Sequence, residues 1–173
     1  MSDGIYPHPA AWPDERLTLD CRMERIRGGG PGGQRRNKVQ TGVRFVHVPS
    51  GLIGQATEDR RPEVNRKRAW RRLRIRLALQ IREPVDPHTY RASSALQSRR
   101  RDGRIELNPR HRDYPAILAE VLDVVAACRF DLAAAAANLE VSTSQVLKLL
   151  KHEPEALEAV NRERQQFGRP PYR

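Results

Sequence analysis

Residues 26–51 read IRGGGPGGQRRNKVQTGVRFVHVPSG, and this stretch dominates the interpretation of the chain. Five of the six residues in 28–33 are glycine, with Pro31 among them, and Gln34 follows directly. Glycine has no Cβ, so such a loop can bring its backbone against a crowded surface. The loop contains no acid, no serine–histidine pair and no metal ligand. Its chemistry must therefore come from backbone N–H groups, one amide side chain and a partner, which the basic flanks predict to be polyanionic.

Two phosphate-binding motifs are excluded for this loop. Gly28, Gly30 and Gly33 satisfy the pattern G-x-G-x-x-G literally. However, Pro31 lies inside the pattern, no β-α-β unit follows it, and no acid stands about twenty residues further on. No G-K-S or G-K-T sequence is present, which excludes a P-loop. A flexible hairpin or linker would explain the glycines, but not a Gly-Gly-Gln sequence followed by a basic, polar run.

The residues around the loop predict a small α+β unit. Residues 17–24 alternate between apolar and polar side chains, which predicts a half-buried strand that enters the loop. Residues 42–48 predict a second strand and residues 52–57 a third, joined by a turn at 49–51. A helix is expected from about residue 63 to residue 82, packed on the sheet. Its apolar side is formed by Trp70, Leu73, Leu77 and Ile81.

Composition divides the rest of the chain into three further segments. Residues 1–16 are rich in proline and small side chains and are predicted to form a flexible N-terminal tail. Residues 83–112 contain prolines, paired serines and an arginine run, which are typical of a basic linker. Residues 113–173 show only helical patterns. The expected fold class is therefore α+β, with a small sheet and one packed helix in residues 17–82, followed by an all-helical C-terminal domain.

Charge is distributed unevenly along the 173 residues, whose formal net charge is +11. Residues 1–110 contain 24 Lys and Arg against 12 Asp and Glu, whereas residues 111–173 contain 8 against 9. The basic excess predicts contact with nucleic-acid phosphates. The two cysteines lack zinc-site spacing, and no signal peptide or membrane-spanning apolar run is apparent. These features predict a cytoplasmic protein that does not enter a membrane.

The order of residues in and after the loop resembles a known family. The series is similar to the catalytic domain of class I peptide chain release factors, which small codon-independent ribosome-rescue peptidyl-tRNA hydrolases share. The resemblance covers residues 17–82 and implies a release-factor-like fold there. The residues that carry it are GlyProGlyGlyGln at 30–34, Asn37-Lys38-Val39, Val43-Arg44, His47, Pro49 and Gly51.

The resemblance implies hydrolysis of the ester that joins a nascent peptide to tRNA. In the family, the loop enters the peptidyl transferase centre of the large ribosomal subunit. Gly32 and Gly33 would permit a backbone turn, and the N–H of Gln34 would stabilise developing negative charge as an oxyanion-hole donor. The Gln34 side chain would position water. The implied partners are ribosomal RNA and P-site peptidyl-tRNA, the protein is expected to be a monomer, and no cofactor or metal is implied.

Seven cations are predicted to contact RNA phosphates beside the loop. They are Arg35, Arg36, Lys38, Arg44, Arg66, Lys67 and Arg71.

The chain has no room for a codon-reading domain and no stop-codon-reading tripeptide, which favours codon-independent ribosome rescue. The alternative is an RNA- or DNA-binding regulator that retains the loop without hydrolase activity.

Residues 132–151 allow two interpretations. Leu132–Leu139, followed by Glu140-Val141 and a helix that Ser142 could cap, resembles the helix-turn-helix of Fis-type bacterial regulators, although Glu140 stands where glycine is usual. The near-neutral charge instead favours a helical bundle that binds protein or packs on the front domain. The candidate nucleic-acid-reading residues are Thr143, Ser144, Gln145, Lys148 and Lys151.

Overall fold

The computed structural model describes residues 6–27 and 40–173. Contacts group these residues into two compact units. The sheet unit comprises residues 13–77, and the helical unit comprises the described residues up to Trp12 together with residues 78–173. The predicted α+β class is confirmed, because a small sheet with helices is followed by a helical region.

The sheet unit contains one antiparallel sheet of three strands in the order β1–β2–β3. A short helix, α1, precedes the sheet and a long helix, α2, follows it. The elements are α1 Asp14–Leu19, β1 Cys21–Ile26, β2 Gly42–His47, β3 Ile53–Ala56 and α2 Pro62–Gln80.

Helix α2 packs against the sheet through a close backbone approach. Ala69 and Leu73, four residues apart, are fully buried on the helix. Gly54 of β3 makes their position possible, since a Cβ there would overlap the Ala69 carbonyl oxygen and lie 2.7 Å from the Leu73 Cα. The Phe45 ring of β2 packs edge-on against Trp70 of α2, with 4.8 Å between ring centroids. The predicted helix is therefore confirmed, with Leu73 and Leu77 buried on its apolar side, but it ends at Gln80, so Ile81 lies beyond it.

The first strand begins later than the sequence predicted. Residues Asp14–Leu19 form α1 instead, in which Leu17 is fully buried and Leu19 is 85% exposed. Asp14 and Glu15 in the first turn favour a helix there because acids interact well with a helix N-terminus. The alternation in residues 17–24 spans two elements, the end of α1 and the edge strand β1, in which Met23 is 47% exposed. It therefore does not mark a single strand.

The helical unit is built around helix α4, which spans Tyr114–Ala127. Ile117, Leu118, Val121 and Val124 of this helix are fully buried. The other elements are a 3₁₀ turn Pro9–Ala11, α3 Ser94–Arg99, β4 Arg100–Arg101, β5 Arg104–Ile105, α5 Leu132–Leu139, α6 Thr143–Lys151 and α7 Pro154–Gln166.

Residues 6–12 pack into the helical unit, whereas the sequence predicted a flexible tail over residues 1–16. Tyr6, His8 and Ala10 are buried. The Tyr6 hydroxyl donates to Asp123 Oδ2 at 3.1 Å, and His8 Nε2 lies 3.2 Å from the carbonyl oxygen of Ile81. These partners are distant in sequence, so the composition of the segment could not reveal them.

The predicted linker at residues 83–112 is also folded into the helical unit. It contains α3 and the β4–β5 hairpin. Glu120 of α4 is fully buried and accepts hydrogen bonds from the Tyr90 hydroxyl at 2.7 Å and from the Ser93 backbone N–H at 2.7 Å. Burying a carboxyl group is costly unless it is hydrogen-bonded, so these contacts fasten the segment to α4.

Candidate functional site

The predicted catalytic residues lie outside the described part of the chain, but both ends of their loop are described. Ile26, the last residue of β1, pairs with Gly42, the first residue of β2. Residues 27–41 therefore begin and end at one pair of facing residues in the sheet. The predicted site residues that fall outside the described ranges are Gly32, Gly33, Gln34, Arg35, Arg36 and Lys38.

Gly42 sets how closely the two ends of the loop approach each other. A Cβ at this position would lie 2.8 Å from the Ile26 carbonyl oxygen and 2.7 Å from the Thr57 Cγ2. Real Cβ atoms do not make contacts this short, so a larger residue would push β2 away from β1. A glycine here lets the loop return directly onto its outgoing strand.

Asn65 ties the returning end of the loop to the start of α2. Its side chain is fully buried, and Nδ2 donates to the carbonyl oxygens of Thr41 at 2.8 Å and Asp59 at 2.7 Å. Oδ1 accepts from the Asp59 backbone N–H at 3.0 Å. Both donor hydrogens and the acceptor are thus used inside the protein. No local sequence pattern reveals this role of Asn65, because Thr41 lies 24 residues back along the chain.

Asp59 stabilises the turn before α2, to which the Asn65 side chain is hydrogen-bonded. Its Oδ1 accepts from the Arg61 backbone N–H at 3.0 Å and from the Arg61 Nε at 3.1 Å. The hydrogen bond from the Arg61 side chain is the main cause that lowers the pKa of Asp59 to about 2. The carboxylate therefore stays ionised at neutral pH and holds the chain just before Pro62 starts α2.

Arg44 lies two residues into β2 from the loop and is held in a row across the sheet. Its backbone faces Glu24 on β1 and Gln55 on β3. The Arg44 Nε donates to Gln55 Oε1 at 3.2 Å, and the guanidinium lies 3.7 Å from a Glu24 carboxylate oxygen. The side chain remains 37% exposed. Since a guanidinium has five N–H donors, Arg44 can still offer some of them to a phosphate.

The three predicted RNA-binding cations of α2 differ in exposure. Arg66 and Lys67 are exposed and form no ion pair with another described residue. Arg71, one turn beyond Lys67 on the same side of the helix, is half-buried. Arg72 is instead paired with Glu58 at 2.5 Å. The start of α2 therefore presents two uncompensated positive charges directly after the asparagine that holds the loop.

His47 lies at the end of β2 that is far from the loop. It is buried, and its Nδ1 makes a 2.7 Å hydrogen bond with the Ser50 Oγ in the β2–β3 turn. Burial lowers the pKa of His47. Its separation from Gly42 is roughly 17 Å along an extended strand, so its contacts are those of a structural residue.

Neither a metal centre nor a membrane-spanning segment is found in residues 6–27 and 40–173. Within those ranges, no three His, Cys, Asp or Glu side chains cluster closely enough to hold a metal ion. No helix there is both long and apolar enough to cross a bilayer.

Comparison with known proteins gives matches that include the loop and its base. The RF-1 domain family matches residues 17–115. Peptide chain release factor 1 of Chloroherpeton thalassium is 46% identical over 90 residues, which is 49% of this chain and 25% of that protein. Human mitochondrial peptide chain release factor 1 is 42% identical over 83 residues, covering 48% of this chain and 19% of that protein.

A release factor of the second type is also similar. Peptide chain release factor 2 of Variovorax paradoxus is 43% identical over 58 residues, 34% of this chain and 16% of that protein. This chain thus spans a quarter or less of the length of these relatives. No solved structure gives a significant match. Because the family match extends over more than half of the sequence, from α1 to the start of α4, the chain belongs to the RF-1 domain family.

Proposed function

We propose that this protein hydrolyses, on the ribosome, the ester between a nascent peptide and its tRNA. The observation that carries the proposal is the Gly32-Gly33-Gln34 sequence in a loop whose two ends meet at the Ile26–Gly42 pair. Membership of the RF-1 domain family supports it, as do relatives that are named peptide chain release factors. The substrate is the P-site peptidyl-tRNA, and the loop acts in the peptidyl transferase centre.

The proposed chemistry needs no acid or base from the loop. Gly32 and Gly33 allow the backbone to turn, and the Gln34 N–H donates to the oxygen that becomes negative as water attacks the ester. The Gln34 side chain orients that water and excludes larger nucleophiles. Ribosomal RNA and the hydroxyl groups of tRNA surround the ester, so the protein contributes donors and shape rather than a general base, a cofactor or a metal.

The cations around the loop position the protein on ribosomal RNA. Arg66 and Lys67 support this role best, because they are exposed and have no ion-pair partner among the described residues. Arg44 retains free N–H donors beside the loop. Contacts of this kind fix orientation without reading sequence. The other residues proposed to contact RNA are Arg35, Arg36, Lys38 and Arg71.

The finer proposal is codon-independent release by a cytoplasmic monomer, as in ribosome rescue. The resemblance of residues 17–82 to the rescue hydrolases supports it. The test measures labelled peptide released from ribosomes that carry either a truncated mRNA or a stop codon in the A site. Rescue predicts faster release on the truncated message. Release only on the stop codon would contradict rescue but keep the hydrolase, and no release on either would contradict the hydrolase.

The second candidate is an RNA- or DNA-binding regulator that retains the loop without activity. The exposed cations of the helical unit favour it, since they would serve a regulator equally well. Sedimentation at low salt separates the two. A hydrolase travels with 70S or 50S particles, whereas a regulator stays at the top of the gradient.

A further inference from the structure

Helices α5 and α6 are joined by a tight turn that a neighbouring arginine braces. Glu140, at the end of α5, has a left-handed backbone with φ 53°, which is uncommon for a residue other than glycine. Arg100 of β4 donates to the Leu139 carbonyl oxygen at 3.0 Å and pairs with the Glu140 carboxylate at 2.7 Å. A side chain from the hairpin therefore holds the turn in its strained conformation.

The β4–β5 hairpin is fastened to α6 as well as to the turn. The Gly103 carbonyl oxygen accepts from the Ser142 N–H at 2.9 Å, and the Ile105 N–H donates to Gln145 Oε1 at 3.4 Å. Asp102 and Gly103 both have positive φ angles, as a two-residue type I′ hairpin turn requires. The hairpin, the turn and the start of α6 thus form one braced surface.

The outward side of α6 carries polar and basic residues. The buried side is formed by Val146, Leu149 and Leu150. Residues three or four positions apart lie on one face of a helix. In α6, one such set lies on the side opposite the buried residues. Its members are Ser144, Lys148 and Lys151, all exposed.

Four exposed cations on this surface lack an ion-pair partner among the described residues. Two are Lys148 and Lys151 of α6, and two are Arg101 and Arg104, which face each other in the hairpin. Glu140 is already paired with Arg100, and the hairpin segment also carries two exposed acids, Asp102 and Glu106. Exposed cations without internal partners are well suited to phosphate groups, whose counterions they displace.

The near-neutral charge of the back half does not argue against such a surface. Glu120 and Asp123 are fully or almost fully buried and satisfied inside the helical unit. They lower the net charge without making the surface acidic. Residues 78–173, which include the hairpin, contain 15 Lys and Arg against 13 Asp and Glu. Four of the exposed cations, Arg101, Arg104, Lys148 and Lys151, belong to the hairpin and α6.

We propose that this surface, formed by the β4–β5 hairpin and the outward side of α6, binds the phosphate backbone of double-stranded RNA. Ser144, Lys148 and Lys151 can all donate to phosphate oxygens. The proposed function, on which this step rests, places the chain on ribosomal RNA, so an RNA backbone is the expected partner. The side-chain oxygen of Gln145 in α6 already accepts a hydrogen bond from the Ile105 backbone N–H. The major groove of RNA is too narrow for a helix, so the contacts run along the backbone. The residues of this surface are not those used by the proposed hydrolase, whose RNA-binding cations belong to the sheet unit.

The test compares two fourfold variants of the full-length protein that remove equal charge. The surface variant carries R101Q, R104Q, K148Q and K151Q. The control carries R91Q, R110Q, R162Q and R173Q, which change exposed arginines elsewhere in the helical unit. Fluorescence anisotropy measures binding to an RNA duplex of about 20 base pairs, a length similar to that spanned by known RNA duplex-binding domains, and to a DNA duplex of matching sequence.

The wild type should bind the RNA duplex more tightly than the DNA duplex. The surface variant should lose about tenfold or more in RNA affinity at about 0.1 M salt, and its salt dependence should become shallower by roughly two to three lost contacts. The control variant should lose much less. Equal losses in the two fourfold variants would overturn the proposal, as would equal or tighter binding of DNA by the wild type.

Two further variants keep the proposal separate from folding and from hydrolysis. The pairs R101Q/R104Q and K148Q/K151Q should each cause part of the loss while melting like the wild type. If neither pair weakens RNA binding, the surface is wrongly assigned. Q34A should bind the duplex like the wild type, so a failure of the hydrolase proposal would leave this measurement unaffected.

Discussion

The sheet unit and the helical unit both use buried polar side chains to join segments that are distant in sequence, but with different chemistry. In the sheet unit, the neutral amide of Asn65 joins Thr41 to the Asp59 turn. In the helical unit, the carboxyl groups of Asp123 and Glu120 hold residues 6–12 and the segment after α2. The hydrogen bonds of Asn65 involve no group that titrates, whereas the packing of the helical unit depends on pH.

The largest effect on stability is expected at Asn65. Asn65→Asp removes both donated hydrogen bonds and aims a carboxylate at two carbonyl oxygens. Each buried group left without a partner costs about 1–3 kcal/mol, so the free energy of unfolding of the sheet unit should fall by about 3 kcal/mol. Peptide release should fall with it, because the returning end of the loop is no longer held. Denaturant unfolding and a single-turnover release assay measure the two effects.

A matched asparagine in the helical unit provides the control. Asn161 donates to the Tyr172 carbonyl oxygen and accepts from the Tyr172 N–H, but it is only half-buried and far from the loop in sequence. Asn161→Asp should cost about 1 kcal/mol and leave the release rate unchanged. Equal effects of the two substitutions on release would refute a positioning role for Asn65.

The pH dependence of the helical unit is the next largest effect. Burial raises the pKa of Asp123 to about 6, while burial lowers the pKa of His8 to about 4. The folded state prefers protonated Asp123, so this group adds stability as pH falls from 6 toward 3.8. It also prefers neutral His8, so that group removes stability as pH falls from 6.5 toward 4. The two contributions oppose each other in the same window.

Asp123→Asn should therefore make the helical unit more sensitive to acid. In addition to a constant cost from the lost pair with Arg82, the variant should lose on the order of 2 kcal/mol relative to the wild type between pH 7 and pH 4.5. Denaturant unfolding at several pH values measures this difference. A parallel pH dependence of the variant and the wild type would show that the carboxyl group has an ordinary pKa in the folded protein.

The smallest effect is expected for the row formed by Glu24, Arg44 and Gln55 across the sheet. Glu24 lies near Arg44 at 3.7 Å, and exposed ion pairs contribute at most about 1 kcal/mol. Glu24→Gln should leave the melting temperature nearly unchanged while slightly strengthening binding to ribosomes at low salt, because Arg44 gains freedom to meet a phosphate. A loss of more than about 2 kcal/mol would show that the row is a structural element.

Much of the sheet unit could be predicted because its signals are local. The apolar spacing of α2, the β2–β3 turn and the ordered loop motif each lie within a short window. The start of β1 was predicted too early because Leu17 and Leu19 of α1 continue the apolar alternation of the strand. Asn65 and Tyr6 could not be assigned, since their partners lie 24 and 117 residues away. The loop residues are known from sequence alone, and the importance of Gly42 depends on backbone contacts that only folding creates.

Single-turnover peptide release by the wild type and by Q34A, on ribosomes stalled with a labelled peptidyl-tRNA, tests the central claim most directly. We expect both proteins to sediment with the ribosome alike, whereas Q34A releases peptide on the order of 10²–10³-fold more slowly, as for loss of an oxyanion-hole donor or a water-positioning group. Equal release rates for the two proteins at equal ribosome occupancy would contradict the account.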